Sequence, residues 1–206
     1  MSNPTTWNGA SDRLDRTQLR TMALSMVRSV CGSTKHQYLS GPITGGKRYI
    51  DACTTALHTP SKKLDRAAGV IEANAAALKV KAEKIRLEEM TPVIEPGSFE
   101  VGFPGWGQPD YLALWEKVIA EHASAVRFLD GWEYSAGCAF EYLCALRHEV
   151  PTIDEWGDDL NSDKALTLLA DAIAEIRTTT DGGALELTRL LVQLVDHHNA
   201  IFAFKE

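Results

Sequence analysis

Val126-Arg-Phe-Leu-Asp-Gly-Trp-Glu-Tyr-Ser-Ala-Gly-Cys-Ala-Phe-Glu141 is the stretch that decides the fold. A short apolar run from Ala125 to Leu129 has strand character and breaks at Asp130-Gly131. A helical pattern then runs from Ala136 to Arg147. Where a strand ends in a glycine turn and feeds a helix, open α/β sheets bind their ligands. The helix start presents free backbone N–H groups and the positive end of its dipole, which suit an anion. Ser135 stands at the N-cap position. Glu141 follows about one and a half turns later, on the side that can lean back toward the strand ends. A carboxylate there is a candidate nucleophile or base. The plainer alternative is a carboxylate serving only the helix dipole.

Outward from this unit, the chain alternates short strands with helices. The expected strands lie near 36–40, 92–95, 125–129 and 150–153, which implies a parallel sheet with helices on both faces. The expected helices cover 11–30, 48–57, 62–90, 110–121, 136–147, 162–177 and 184–204, with Ser61, Asp110 and Ser162 as N-caps. In the long 62–90 helix, Leu64, Ala68, Ile71, Ala75, Leu78, Ala82 and Ile85 recur at steps of three and four. That helix reads as a lengthened crossover between parallel strands with a partner contact at its far end. A coiled-coil-like oligomer helix is the competing reading. The expected organisation is an N-terminal helical extension (1–35), an α/β core (36–156) and a C-terminal helical pair (157–206).

The second informative stretch is His36-Gln-Tyr-Leu-Ser-Gly-Pro-Ile-Thr-Gly-Gly-Lys47. Tyr38 and Leu39 belong to a strand that Ser40-Gly41-Pro42 ends. Thr44-Gly45-Gly46 offers backbone that can close around a ligand oxygen, because glycine has no Cβ in the way. The order of residues is that of neither a P-loop nor a dinucleotide fingerprint. The loop 97–109 carries six glycines and prolines, Gly97, Gly102, Pro104, Gly105, Gly107 and Pro109, with Phe99, Phe103 and Trp106 interleaved. It reads as a binding loop whose aromatics either stack on a flat ring or pin the loop to the core.

Composition narrows the function classes. The chain of 206 residues is 45% apolar and 24% charged, as ordinary globular proteins are. A net charge of −7 argues against binding nucleic-acid polymers, which calls for a basic face. Cys31, Cys53, Cys138 and Cys144 lack metal-type spacing and read as reduced thiols. His197 and His198 are neighbours on a helix and do not share a face, so no metal site is expected of them. No apolar run spans a membrane and the first ten residues lack the core of a signal peptide, so the expected location is cytoplasmic.

Tyr38-Leu-Ser-Gly-Pro-Ile-Thr-Gly45 and Leu129-Asp-Gly-Trp-Glu-Tyr-Ser-Ala-Gly-Cys-Ala-Phe-Glu141, taken together and in this order, resemble the nucleoside 2-deoxyribosyltransferase-like superfamily over roughly residues 36 to 154. The closest look is to a phage and bacterial branch with YxSGPxTG and GWExSxGAxxE signatures. The superfamily also includes 2′-deoxynucleoside 5′-phosphate N-hydrolases. The resemblance implies a flavodoxin/Rossmann-like three-layer sandwich with a short parallel sheet, here with extra N- and C-terminal helices. It implies a homodimer or larger assembly and cleavage of an N-glycosidic bond without a cofactor. Glu141 matches the family's nucleophile, and Tyr38 matches a residue that holds the carboxylate or the sugar. Ser40, Gly41, Ile43 and Gly45 line the turn that approaches the substrate. Ser135 and Gly137 match the positions that receive a 5′-phosphate, with Asp130 and Trp132 as further substrate contacts. The family's acid/base Asp falls at Lys117, with Glu116 beside it, and Asp110, Asp130 and Glu133 are substitutes nearby. The expected substrate is a nucleoside or its monophosphate. The alternatives are a non-catalytic nucleotide-binding or sensing protein and, third, an NAD-cleaving glycohydrolase.

Overall fold

The fold is given by a computed structural model, and the structure describes residues 16–56, 63–99, 106–179 and 184–203. Within them lie four strands: β1 (His36–Ser40), β2 (Val93–Ile94), β3 (Ala123–Phe128) and β4 (Thr152–Ile153). They form one sheet in the spatial order β2-β1-β3-β4, parallel at every pairing. The described residues also hold seven α-helices: α1 (Arg16–Cys31), α2 (Lys47–Ala56), α3 (Lys63–Glu88), α4 (Gln108–His122), α5 (Ala136–Arg147), α6 (Ser162–Thr179) and α7 (Leu185–Ala203). The chain is therefore mixed α/β with an all-parallel sheet. After β1 it crosses outward to β2, then returns to place β3 on the other side of β1. The crevice beyond the carboxyl ends of β1 and β3 is the switch point at which such sheets hold ligands.

The side chains of β1 show why the sheet is covered on both faces. Tyr38 and Leu39 are consecutive, point to opposite faces and are both fully buried. Tyr38 packs in the larger cluster with Ile94, Val126 and Phe128 and with Trp115, Val118 and Leu143 from α4 and α5. Leu39 packs in the smaller one with Val93, Leu129 and Leu78, Ala82 and Ile85 from α3. Burying one such aliphatic side chain is worth about 1.5–3 kcal/mol. The terminal helices share the larger cluster: Leu24 and Val27 of α1, Leu169 and Ile173 of α6, and Leu187 and Leu190 of α7 all lie in it.

The elements differ from the sequence reading at their ends. The edge strands β2 and β4 are two residues each, shorter than the four expected. Pro92 and Pro151 withhold N–H groups, and their carbonyls instead accept from Gln37 and Val126. Helix α4 starts at Gln108 rather than after Asp110, with Gly107 at its N-cap. Pro109 suits the first turn, and Asp110 folds back to accept from the Gly107 N–H at 3.1 Å. Asn161, not Ser162, caps α6 by accepting from the Lys164 N–H at 3.0 Å. The long helix buries the expected Leu78, Ala82 and Ile85, but Ile71 stays 38% exposed. The expected cap at Ser61 and the middle of the 97–109 loop, residues 100–105, fall outside the described residues. Among the described residues no helix is long and apolar enough to cross a membrane.

Candidate active site

Two residues of one strand hold one carboxylate. Tyr38 and Ser40 alternate along β1 and so face the same side, toward α5. The Tyr38 hydroxyl donates to Glu141 Oε1 at 2.6 Å, and the Ser40 hydroxyl donates to Oε2 at 2.5 Å. All three side chains are buried. Burial lifts the Glu141 carboxyl to about 7, although the hydrogen bonds from Ser40 and Tyr38 pull the other way. The Tyr38 phenol is held well above its ordinary range, first by burial and then by the neighbouring Glu141 charge.

The turn after β3 delivers Glu141. The Leu129 N–H donates to the Ser40 carbonyl at 2.9 Å and ties the ends of the two strands together. Gly131 then takes φ +80°, a left-handed conformation that favours glycine. A single turn of 3-10 helix at Trp132–Tyr134 follows, and Ser135 caps α5 by accepting from the Cys138 N–H at 3.4 Å. From that cap, Cys138 and Glu141 fall on one face of α5.

Above Glu141 lies a cavity of about 490 Å³, within the range of small-molecule sites. Leu39, Gly41, Ile43 and Thr44 line it from β1 and the turn that follows. Gln108, Tyr111, Leu112 and Trp115 line it from α4, and Ser135, Gly137, Cys138 and Glu141 from the start of α5. Leu78 and Pro96 complete the wall. A methyl group on Gly41 would meet Leu78 Cδ2 at 3.0 Å and Leu129 Cδ1 at 3.2 Å, so the turn packs closely at that point.

The structure thus brings Glu141, Tyr38, Ser40, Gly41, Ile43, Ser135 and Gly137 together at one rim of the sheet. Gly45 stands just behind, its carbonyl bound by Asn74. The other expected site residues are elsewhere. Trp132 is buried in the core, its ring stacked on Tyr142 at 5.3 Å. Asp130 is exposed, and its N–H donates to Glu155. Asp110, in the first turn of α4, accepts from the Gly107 N–H and faces Arg16 and Arg20 of α1 at 3.8 and 3.9 Å. Glu116 lies 3.6 Å from His148, on the side of α4 toward the end of α5. Glu133 is partly buried, which raises its carboxyl pKa. Among the described residues Glu141 is the one carboxylate lining the cavity.

Sequence reasoning passed over four features. Asn74 is buried on α3, and its amide donates to the carbonyls of Ile43 and Gly45, both at 3.1 Å. Its side-chain oxygen accepts from Arg48 at 3.2 Å. A polar residue on the helix stripe that precedes Leu78 was the available signal. Cys138 lines the cavity beside Glu141, and burial together with the Glu141 charge pushes its thiol up to about 12. The stripe of α4 at 108, 111, 112 and 115 faces the cavity. Lastly, Glu175 of α6 accepts from Tyr134 at 2.5 Å and from Lys47, whose ammonium also meets Asp51 at 3.1 Å and sits over the Tyr134 ring. That cluster braces the turn carrying Ser135 from behind. Lys47 is held above the usual ammonium range by its hydrogen bonds to Glu175 and Asp51.

Cys31, Cys138 and Cys144 are free thiols, all buried. Among the described residues no three His, Cys, Asp or Glu side chains are gathered as a metal ion would require. Comparison of the chain with protein-family models, with curated proteins and with solved structures finds no match.

Proposed function

We propose that the protein cleaves, or transfers across, the N-glycosidic bond of a nucleoside or nucleoside 5′-monophosphate, with Glu141 as nucleophile. The observation that carries this reading is the buried Glu141 carboxylate facing a cavity, each of its oxygens fixed by a hydroxyl from β1. Two donors orient the carboxylate without neutralising it, and desolvation keeps it reactive. An oxygen of Glu141 forms a bond to C1′ of the sugar as the C1′–N bond breaks and its electron pair leaves with the base. The transition state resembles an oxocarbenium ion, whose positive charge the carboxylate attracts. Water, or a second base, then attacks C1′ and releases Glu141. The leaving base takes its proton from water at the cavity mouth, where Gln108 is exposed. Ser135 and Gly137 at the start of α5 receive a 5′-phosphate where the substrate carries one. The fold consistent with this reading is a flavodoxin-like three-layer sandwich, and the order β2-β1-β3-β4 supports it.

The second reading is a protein of the same shape that binds a nucleotide without cleaving it. It is favoured by the positions of Glu116 and Asp110, engaged with His148 and with arginines of α1 rather than lining the cavity. One experiment separates the two. The protein is incubated with ribo- and deoxyribonucleosides, their monophosphates and NAD, and free base is followed by chromatography. Base release that disappears in Glu141→Gln supports the enzyme. Thermal stabilisation by a nucleotide with no release supports the binder. Nicotinamide as the released base moves the assignment to NAD cleavage.

A further inference from the structure

Gln108, Tyr111, Leu112 and Trp115 stand at i, i+3, i+4 and i+7 of α4 and all line the cavity. Leu114 and Val118 of the same helix turn into the core instead. The face presented to the cavity is thus two aromatic rings, one aliphatic side chain and, at its exposed end, one primary amide. The start of α5 gives the cavity an opposite character, with a hydroxyl, a thiol, a glycine and the carboxylate. Tyr38, fully buried and not itself lining the cavity, touches a residue of each wall. Its hydroxyl binds Glu141 at 2.6 Å, and its ring lies 6.2 Å from the Trp115 ring, edge to face. The aromatic wall therefore begins one ring away from the proposed nucleophile.

We propose that this face of α4 is the leaving-group wall, and that Gln108 selects the leaving group by its ring edge. This rests on the glycosidic reading above and narrows its substrate class. An N-glycoside has a polar sugar joined by one bond to a flat heterocycle. A carboxylate at C1′ requires that heterocycle to lie immediately beside it. Aromatic and aliphatic side chains suit its faces. A glutamine amide carries both donors and an acceptor, so it pairs with an edge that alternates donor and acceptor, such as that of an amino- or oxo-substituted purine or pyrimidine. A ring without exocyclic groups offers no such edge. Tyr111 is itself buttressed from behind by Trp106, with ring centroids 5.0 Å apart, so the wall is supported before anything binds.

The test is Gln108→Leu, a change at an exposed first-turn position whose folding is checked by its melting temperature. Base release is measured from 2′-deoxyadenosine 5′-monophosphate, 2′-deoxycytidine 5′-monophosphate and the monophosphate of unsubstituted purine 2′-deoxyriboside. The expected result is a fall in kcat/KM of about tenfold for the two amino-substituted bases and little change for unsubstituted purine. An equal fall for all three, or none, overturns the assignment and leaves the glycosidic reading standing. If wild type releases no base, the same three compounds are compared by thermal shift, with and without Gln108→Leu. A base-dependent loss of binding then supports the wall while the glycosidic reading falls. Failure of all three compounds to bind overturns both.

Discussion

The hydroxyl of Tyr38 lies 2.6 Å from Oε1 of Glu141, although 103 residues separate them in the chain. It is one of two donors to a carboxylate that burial would otherwise drive toward its neutral form. Replacing Tyr38 by Phe keeps the packing against Trp115 and removes that donor. The pKa of Glu141 then rises further, because a bond favouring the charged form is gone. The expected outcome is a drop in kcat/KM of about tenfold at pH 7, with the acid limb of the pH profile displaced to higher pH. A melting curve verifies that the variant remains folded.

The pH profile of the wild type follows from the same group. In the proposed mechanism Glu141 acts as a carboxylate, and its carboxyl stands at about 7. Activity is therefore expected to rise with pH and to level off above that value. A pH series of base release from one nucleotide checks this.

Stability has the opposite dependence. The folded-state value of about 7 lies above the ordinary 4.5. Below 4.5 the group is protonated both folded and unfolded, and its contribution to stability is fully present. As pH rises through 7 that contribution is lost, on the order of 3 kcal/mol. Glu141→Gln keeps the shape of the side chain without the charge, one of the two hydroxyls then accepting from the amide instead of donating. Its melting temperature is expected to exceed that of wild type at pH 8 and to approach it at pH 4.5. Scanning calorimetry at the two pH values decides it.

Asn74 suspends the turn after β1 through two carbonyls. Asn74→Leu conserves the volume but leaves the carbonyls of Ile43 and Gly45 without this donor. A loss of about 1–3 kcal/mol is expected, read from the midpoint of urea unfolding. Because Ile43 lines the cavity, the same variant is expected to raise KM.

Gly46 has φ +84°, and a methyl group there would lie 2.5 Å from Pro42 Cβ. Gly46→Ala is expected to destabilise the protein by about 2–3 kcal/mol, because strain and overlap add. Denaturant titration measures it. Gly32 is a contrasting control: its φ is +62°, but a methyl group there meets nothing within 4 Å. Gly32→Ala is expected to cost about 1 kcal/mol.

Much of this was legible in the sequence because it is local. The strand from 125 and the helix from Ala136 were readable from an apolar run, a glycine and a capping serine. Ser135 does cap α5. Tyr38 was legible as a strand residue, but Ser40 was read as part of the turn, whereas it closes the strand and shares the face of Tyr38. The partners of Asn74, of the α4 stripe and of Glu175 were not legible, for a common reason. Each acts on a segment distant in the chain, and a polar side chain on a helix gives no sign of whether it meets water or another backbone. Asp110 and Glu116 show the converse. As acidic residues near the expected site they were natural candidates, but one is engaged by a helix terminus and by arginines, the other by His148.

The paired hydroxyls of β1 carry one more implication. A slip of that strand by a single position, with its outer neighbours unchanged, would carry both oxygens to the opposite side and thrust Leu39 at the carboxylate. On the proposed mechanism, the strand's alignment is thereby written into the chemistry. Molecules that assemble out of step would be silent rather than merely slow, and in a heterogeneous preparation turnover per mole would report the fraction correctly assembled.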